Sequence, residues 1–290
     1  MKKINQYDLL LLLTSILWGY GFVAVANCLN DGFSVFFILF IRFFIAAIAM
    51  AVGASRHYTR IKKNDVLLGL LSGLFLFLAF CLQSYGLSMT TPSNNAFLCS
   101  ISVIIVPLLI WGIDKKKPGK NIMVSLILCV AGMWVLTGGV SSGSFNAGDF
   151  LSLASSFVFA LQVLLIGRYS RNMDIGIFNL AQMSSVSVMA LLSCLVFTPA
   201  SFSLSLVFGS WFDLLYLGLV ATCMCYLLQA IGLKNTSTTK ASIILATESL
   251  FGSLLSVMCG LEPFTLSMLF GGALILASLI CAEVKFNKKI

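Results

Sequence analysis

Long apolar stretches, each about the length of a membrane-spanning helix, recur along the whole chain. An α-helix needs roughly 20 predominantly apolar residues to cross the hydrocarbon core of a bilayer. Ten such stretches lie at roughly 8–28, 33–54, 66–87, 92–113, 121–139, 148–167, 176–197, 211–233, 239–260 and 265–284. They are continuously apolar rather than alternating, which disfavours a β-barrel. The pattern predicts an all-α integral membrane protein with ten transmembrane helices and short loops.

The basic residues indicate how these helices are oriented, because Lys and Arg accumulate in cytoplasmic loops. If the N-terminus is cytoplasmic, all but one of the 18 basic residues fall in segments on the cytoplasmic side. These residues are Lys2, Lys3, Arg56, Arg60, Lys62, Lys63, Lys115, Lys116, Lys117, Lys120, Arg168, Arg171, Lys234, Lys240, Lys285, Lys288 and Lys289. The exception, Arg42, lies inside the second stretch. The sequence therefore predicts ten spans with both termini in the cytoplasm.

The two halves of the chain, residues 1–140 and 141–290, resemble each other. A segment that begins at Asp8 matches one that begins at Asp149, and a segment that begins at Gln83 matches one that begins at Gln229. Each half holds five predicted spans, an odd number, so the second copy would enter the membrane from the opposite side. Inverted repeats of this kind are the structural basis of alternating access in secondary transporters. We expect two inverted five-helix repeats joined by a linker at 141–144.

Composition and charge narrow the class of protein further. Hydrophobic residues make up 59% of the 290 residues and charged residues only 10%, which excludes an ordinary soluble enzyme and a disordered protein. A net charge of +8 would suggest a nucleic-acid partner for a soluble protein, but here the topology explains it, and no nucleic acid is expected. The nine cysteines show no paired CxxC spacing, so neither a disulfide, a metal site nor a cofactor is expected.

Several short motifs resemble those of the EamA-type drug/metabolite transporters. Residues 18–23 (WGYGFV) resemble the W-G-x-x-F-V opening of that family, and residues 42–43 are similar to its mid-helix R-F pair. Residues 86–107, 232–248 and 271–277 resemble the family's patterns in helices 3–4, 8–9 and 10. The resemblance implies a transporter of small metabolites with ten helices and a central cavity, located in the inner cell membrane as a multi-pass protein.

Two ionisable residues lie close to the predicted midplane of the membrane. Arg42 and Glu248 are each about nine residues inside a span. A charged side chain there costs about 2.5–3.5 kcal/mol on insertion scales, so each is expected to face the interior of the bundle. Glu248 is then a proton or substrate-amine site, and Arg42 binds a carboxylate or tunes Glu248. The alternative is a structural Arg–Glu pair, or an arginine bonded to backbone carbonyls.

Uncharged polar and aromatic residues complete the predicted site. Such residues in membrane helices also serve as packing or as hydrogen bonds between helices, at about 0.6 kcal/mol per contact. As a set they indicate a polar cavity with aromatic walls. The predicted substrate-binding residues are Trp18, Phe22, Arg42, Gln83, Asn95, Gln162, Tyr226 and Glu248, with Glu248 as the proton-coupling candidate.

Two further features concern packing. Pro107 lies inside the fourth span and removes one backbone hydrogen bond, so a kink is expected there. Ser125 and Gly132 form a small-residue face on the fifth span, and Gly271 and Ser278 form one on the last. Such faces suit close helix packing or a dimer contact. Both a monomer and a homodimer remain open.

These features predict a secondary transporter that moves a small organic solute, such as an amino acid, by alternating access. Membrane lipids are its other expected partners. Export is the direction that the resemblance favours, and proton coupling depends on Glu248. An integral-membrane enzyme acting on a lipid or lipid-linked substrate is the alternative, but it would need clustered acids, histidines or cysteines. The chain has one histidine and scattered acids, and no hydrolase, metalloprotease or ATPase motif, so no enzyme activity is expected.

Overall fold

The computed structural model describes residues 5–53, 61–115, 117–136, 146–198, 207 and 209–283. Within these ranges the chain is helical and contains no strand. In the described part of the chain the main helices are α1 Gln6–Asn30, α2 Val35–Gly53, α3 Lys63–Leu87, α4 Pro92–Asp114, α5 Lys120–Leu136, α6 Ala147–Tyr169, α7 Ile175–Phe197, α8 Trp211–Asn235, α9 Thr238–Met258 and α10 Leu266–Glu283. The linker at 141–144 and eight of the basic residues lie outside the described residues: Lys2, Lys3, Arg56, Arg60, Lys116, Lys285, Lys288 and Lys289.

The helices have the length and surface of a membrane protein. Eight of those described, α1 to α4 and α6 to α9, are long and apolar enough to cross a membrane. The shorter apolar helices α5 and α10 have 17 and 18 residues. Large apolar side chains such as Val52, Val196 and Met258 are exposed, whereas polar side chains such as Ser15 and Gln182 are buried. This is the arrangement expected of helices surrounded by lipid, because only the interior can satisfy polar groups.

Hydrogen bonds fix the relative direction of α4 and α9. Ser93 Oγ, at the start of α4, donates to Glu262, which follows the end of α9, over 2.5 Å. Ser100 Oγ, in the middle of α4, donates to Glu248 Oε1, in the middle of α9, over 3.3 Å. The two helices therefore run antiparallel, and the start of α9 lies at the opposite end of the bundle from the start of α4.

The predicted small-residue faces pack against each other within the chain. Ser125 Oγ on α5 donates to the carbonyl oxygen of Ser278 on α10 over 2.5 Å. A Cβ added at Gly132 would lie 2.8 Å from the carbonyl oxygen of Gly271, so only glycine permits this approach of α5 and α10. Small residues allow helix backbones to approach in this way in membranes. The contact accounts for both faces without a second copy of the chain.

Among the described residues, three helices depart from regular α-helical geometry near the middle of the bundle. Helix α4 is interrupted at Ile101, between Pro92–Ser100 and Ser102–Asp114. Helix α9 is interrupted between Thr238–Leu245 and Glu248–Met258. Helix α8 contains a π-helical segment, Tyr216–Met224. Short 3₁₀ and π stretches inside a helix often mark hinges or functional sites. In α4 the helix continues through Pro107, so the interruption lies upstream of the predicted kink.

Candidate functional site

A central cavity lies where seven helices meet, and both intramembrane ionisable residues line it. Residues of α1, α2, α3, α4, α6, α8 and α9 form its wall. Its volume is about 820 Å³, including the part open to the outside. The lining positions on a helix follow helical spacing: on α1 they include Trp18, Phe22 and Val25, which lie on one face because they are three or four residues apart.

The structure brings seven of the eight predicted site residues to the central cavity. These are Trp18, Phe22, Arg42, Gln83, Gln162, Tyr226 and Glu248. Asn95 is fully buried behind the wall instead. Its Nδ2 donates to the carbonyl oxygen of Gln83 over 3.0 Å and to Ser152 Oγ over 2.7 Å, so it joins α4 to α3 and α6. Asn95 therefore holds the wall of the cavity together.

Arg42 is buried on α2 and contacts the cavity wall through aromatic rings. Its Nε donates to Thr222 Oγ1 over 2.5 Å, within the π-helical segment of α8. The guanidinium carbon lies 4.4 Å from the centre of the Phe80 ring and 5.6 Å from that of Phe43. Aromatic faces attract cations, but they do not neutralise the charge. Within the part of the chain that the structure describes, Arg42 forms no ion pair with a carboxylate.

Glu248 begins the second segment of α9, immediately after the interruption of that helix. Its Oε1 accepts a hydrogen bond from Ser100 Oγ. No salt bridge joins it to Arg42, so the structural Arg–Glu pair considered from the sequence is not formed here. The cavity thus contains one basic and one acidic side chain that do not neutralise each other. A ligand carrying groups of both signs could contact both.

Aromatic side chains form the apolar part of the cavity wall. The ring centres of Trp18 and Tyr226 are 5.3 Å apart, and those of Phe80 and Phe159 are 5.2 Å apart. Trp18 Nε1 donates to the carbonyl oxygen of Ala221 over 2.7 Å, which fixes the indole against the π-helical segment of α8. Offset and edge-to-face rings at these distances attract one another, so the wall is preorganised.

Two amide side chains in the wall have buried polar atoms without partners. Gln162 Nε2 and Gln229 Oε1 are buried and make no hydrogen bond to the described protein atoms. Both residues line the cavity. Buried polar groups are nearly always hydrogen-bonded, and an exception needs an explanation such as a water or a ligand. A donor on one wall and an acceptor on another are therefore available to whatever occupies the cavity.

Fourteen of the 21 residues that line the cavity form seven pairs related by the sequence similarity of the two halves. Each pair joins one residue of the first half to its counterpart in the second. The pairs are Trp18 and Phe159, Gly21 and Gln162, Phe22 and Val163, Phe80 and Tyr226, Gln83 and Gln229, Cys99 and Leu245, and Ser102 and Glu248. The interruptions of α4 at Ile101 and of α9 at Thr247 also occupy equivalent positions.

Some residues at the site carry no distinctive signal in the sequence alone. Phe80 and Phe159 belong to a chain with 24 phenylalanines, so neither stands out by its type. The repeat offset could have found them, because Phe80 is the counterpart of Tyr226 and Phe159 that of Trp18. Thr222, the hydrogen-bond partner of Arg42, is marked neither by its residue type nor by the repeat offset. Its role depends on the packing of α2 against α8.

The chain matches the EamA-like transporter family over residues 5–138 and again over residues 146–283. It is 28% identical over 278 residues to a protein from Archaeoglobus fulgidus named as an uncharacterized transporter, covering 96% of this chain and 86% of the relative. It is 26% identical over 254 residues to the transporter YwfM of Bacillus subtilis, also named as uncharacterized, covering 85% of this chain and 74% of the relative.

The fold is also similar to that of a protein of known crystal structure. The two structures superpose with a TM-score of 0.79 over 96% of each chain, at 15% sequence identity, so the similarity is one of fold. The family match extends over nearly the whole chain and agrees with the apolar helices and the central cavity. The chain therefore belongs to the EamA-like transporter family, and it is a multi-pass membrane transporter.

Proposed function

We propose that this transporter exports a small zwitterionic organic solute, such as an amino acid, across the inner cell membrane in exchange for protons. The observation that supports the proposal is the presence of Arg42 and Glu248 in one cavity without a salt bridge between them. The aromatic wall of the cavity would then contact the apolar part of such a solute.

The charges of the cavity favour a solute with both a carboxylate and an ammonium group. A buried charge is costly unless a partner of opposite sign and hydrogen bonds offset the loss of water. A carboxylate on the Arg42 guanidinium and an ammonium on the Glu248 carboxylate would provide both partners at once. The aromatic rings of Phe22, Phe80 and Tyr226 offer a surface for an apolar side chain.

Alternating access follows if residues 1–140 and 141–290 are inverted repeats of five spans each, with both termini cytoplasmic. The paired lining of the cavity and the two successive matches to the family model support this arrangement. Two inverted copies around one cavity give two related conformations, one open to each side. The solute would be exposed to the cytoplasm in one of them and to the outside in the other.

Proton coupling would result from competition at a single carboxyl group. Glu248 can bind either a proton or the ammonium group of the solute, but not both. A proton that enters from the outside would displace the solute into the outer medium, and its release to the cytoplasm would prepare Glu248 for the next solute. The exchange is therefore export driven by an inward proton gradient.

Transport assays on the purified protein in liposomes test the proposed substrate class. A panel of amino acids is screened for uptake, and competition is then measured with analogues of the best substrate that lack either the carboxylate or the amine. We expect both analogues to compete at least about tenfold less well than the parent, because each leaves one charge unpaired. Equal competition by the analogue without a carboxylate, or transport of neutral solutes alone, would contradict the zwitterion proposal.

A further inference from the structure

A buried carboxylate ties the start of α1 to the junction between α8 and α9. Asp8 Oδ2 accepts a hydrogen bond from Lys240 Nζ over 2.7 Å in a salt bridge. Asp8 Oδ1 accepts one from Thr236 Oγ1 over 3.1 Å. We name Asp8, Thr236 and Lys240 the first latch. Because Asp8 is only 6% exposed, its bonds are poorly replaced by water.

A second buried carboxylate makes the corresponding contacts between α6 and the junction of α3 with α4. Asp149 Oδ1 accepts hydrogen bonds from Thr90 Oγ1 over 3.0 Å and from Asn94 Nδ2 over 2.5 Å. Asp149 is 4% exposed. We name Asp149, Thr90 and Asn94 the second latch.

The two latches are counterparts in the sequence similarity of the two halves. Asp149 follows Asp8 by 141 residues, the offset that relates α6 to α1. Thr236 and Lys240 follow Thr90 and Asn94 by 146 residues, the offset that relates Gln229 to Gln83 in the cavity wall. The same two contacts to an aspartate are thus made twice, with the halves exchanged.

The latches lie at opposite ends of the bundle, with the cavity between them. Lys240 is at the start of α9 and Asn94 is at the start of α4, and these two helices run antiparallel. Helix α1 leads from the first latch to Trp18 and Phe22 in the cavity wall. Helix α6 leads from the second latch to Phe159 and Gln162. Release of either carboxylate would free one of these helix ends to move away from the cavity.

We propose that the first and second latches are the alternating gates of the transport cycle, each closing one end of the central cavity. This inference rests on the proposed alternating access of inverted repeats. The latches differ at one position, because Lys240 forms an ion pair where Asn94 offers a neutral amide. Both latches have charge-assisted hydrogen bonds to an aspartate, and the first adds the Coulomb attraction of an ion pair. The first latch is therefore the tighter gate, and the cavity opens more readily at the end that the second latch closes.

Accessibility of one cavity position from each side of the membrane tests the proposal. The nine native cysteines are replaced by alanine, and Ser102→Cys supplies a single thiol in the cavity wall. A membrane-impermeant cationic methanethiosulfonate is applied to right-side-out and inside-out vesicles, and the ratio of the two labelling rates is measured. Asp8→Asn and Asp149→Asn should shift this ratio in opposite directions, each by roughly fivefold, the lower end of the range for conformational coupling.

Variants at Lys240 and Asn94, the position at which the two latches differ, give an independent test with the same labelling ratio. Lys240→Asn should shift the ratio in the same direction as Asp8→Asn. Asn94→Lys should strengthen the second latch and also shift the ratio in that direction. A double variant with Asp8→Lys and Lys240→Asp should restore the original ratio, which shows that a shift in the single variants does not reflect misfolding.

The matched control is an ion pair with no counterpart in the other half. Arg168 at the end of α6 pairs with Asp114 at the end of α4 and is partly exposed. Arg168→Gln should leave the labelling ratio unchanged. A shift like that of Asp8→Asn in this control, or unchanged ratios in both aspartate variants, would overturn the latch proposal.

The experiment separates failure of the latches from failure of the proposed function. Labelling requires no solute, so opposite shifts in a protein that transports no zwitterion would refute the substrate and support the gates. Normal zwitterion transport by both aspartate variants with unchanged ratios would refute the gates and leave the substrate in place. Labelling of Ser102→Cys from one side only, in the parent protein and in every latch variant, would refute alternating access and the latches together.

Discussion

Arg42 and Glu248 stand out in the sequence because charged residues are rare in apolar stretches and costly in a membrane. The structure places both in one cavity, where Arg42 contacts Thr222 and the ring of Phe80, and Glu248 contacts Ser100. Each side chain is held by neutral partners. The charged groups of a ligand would therefore be the partners that neutralise both side chains.

Glu248→Gln is expected to remove the dependence of transport on the proton gradient. The amide keeps the size of the side chain and a possible hydrogen bond with Ser100, but it cannot take up a proton. Solute flux should be measured in proteoliposomes with and without an inward pH gradient. We expect the gradient to accelerate export by the wild type and to have no effect on the variant.

The matched control for this variant is Glu262→Gln. Glu262 also accepts a hydrogen bond from a serine of α4, but it does not line the cavity. Its variant should respond to the gradient as the wild type does. Full proton-driven flux in Glu248→Gln would exclude Glu248 as the coupling group.

Arg42→Lys is expected to weaken solute binding although it preserves the charge. Lysine lacks the planar group that donates to Thr222 and lies over Phe80, and it cannot bind a carboxylate through two parallel bonds. We expect KM for a zwitterionic solute to rise about tenfold, equivalent to roughly 1.4 kcal/mol, with a smaller change in the maximal rate. Arg42→Gln should raise KM further, because it also removes the charge. Arg168→Gln, outside the cavity, should leave KM unchanged. An unchanged KM in Arg42→Lys would exclude a contact through two parallel hydrogen bonds.

The remaining wall of the site could be predicted only in part. Residues with a distinctive chemical type, such as Gln83 and Gln162, were selected from the sequence and do line the cavity. Asn95 has the same chemical type but is used to join helices, a difference that depends on the rotation of α4. Phe80 and Phe159 are indistinguishable from lipid-facing phenylalanines until the packing is known.

The helices themselves follow closely from the apolar pattern, but their interruptions do not. The predicted spans at 92–113 and 239–260 correspond to α4 and α9. Their breaks at Ile101 and at Ala246–Thr247 contain neither glycine nor proline, so no local residue type marks them. The kink at Pro107 stays a prediction; α4 continues through this residue, because neighbouring groups can satisfy a freed carbonyl in a bundle.

Gly271→Ala is expected to destabilise the contact between α5 and α10. An added methyl group would meet the backbone of Leu136 and the carbonyl oxygen of Gly132, which cannot move aside as a side chain can. Overpacking of this kind costs about 1–3 kcal/mol. Thermal unfolding in detergent should therefore show a Tm several degrees below that of the wild type.

The adjacent glycine offers a control for this prediction. A methyl group at Gly272 would meet only the side chain of Leu250, at 2.7 Å from its Cδ1, and that side chain can rotate. Gly272→Ala should lower Tm less than Gly271→Ala does. Equal losses would show that the close backbone approach of α5 and α10 is not what requires the glycine.

The similarity of the two halves extends from the sequence to the site. Weak matches at fixed offsets predicted duplication, and the same offsets relate lining residues such as Gln83 and Gln229. The offset differs by five residues between the start of each half and its later helices. A single offset therefore relates only three or four of the seven pairs that line the cavity. The inverted orientation of the halves remains a prediction that depends on the number of spans.

Reporter fusions at the two ends of the chain are expected to lie on the same, cytoplasmic side. The reason is the concentration of basic residues in alternate loops, which fits ten spans. Alkaline phosphatase, active only outside the cytoplasm, should be inactive at both ends and active when inserted at 141–144. Ends on different sides of the membrane would imply an odd number of spans and would rule out two inverted five-helix copies.

The position of Trp18 allows entry of a solute to be followed by the protein's own fluorescence. The other three tryptophans, Trp111, Trp134 and Trp211, are exposed on the outer surface of the bundle, whereas Trp18 lies in the cavity wall against Tyr226. Indole fluorescence responds to the polarity of its surroundings and to nearby quenching groups. Entry of a solute should therefore change the emission of one tryptophan out of four, without any attached dye. The signal would follow occupancy of the cavity in real time, and it would vanish in Trp18→Phe.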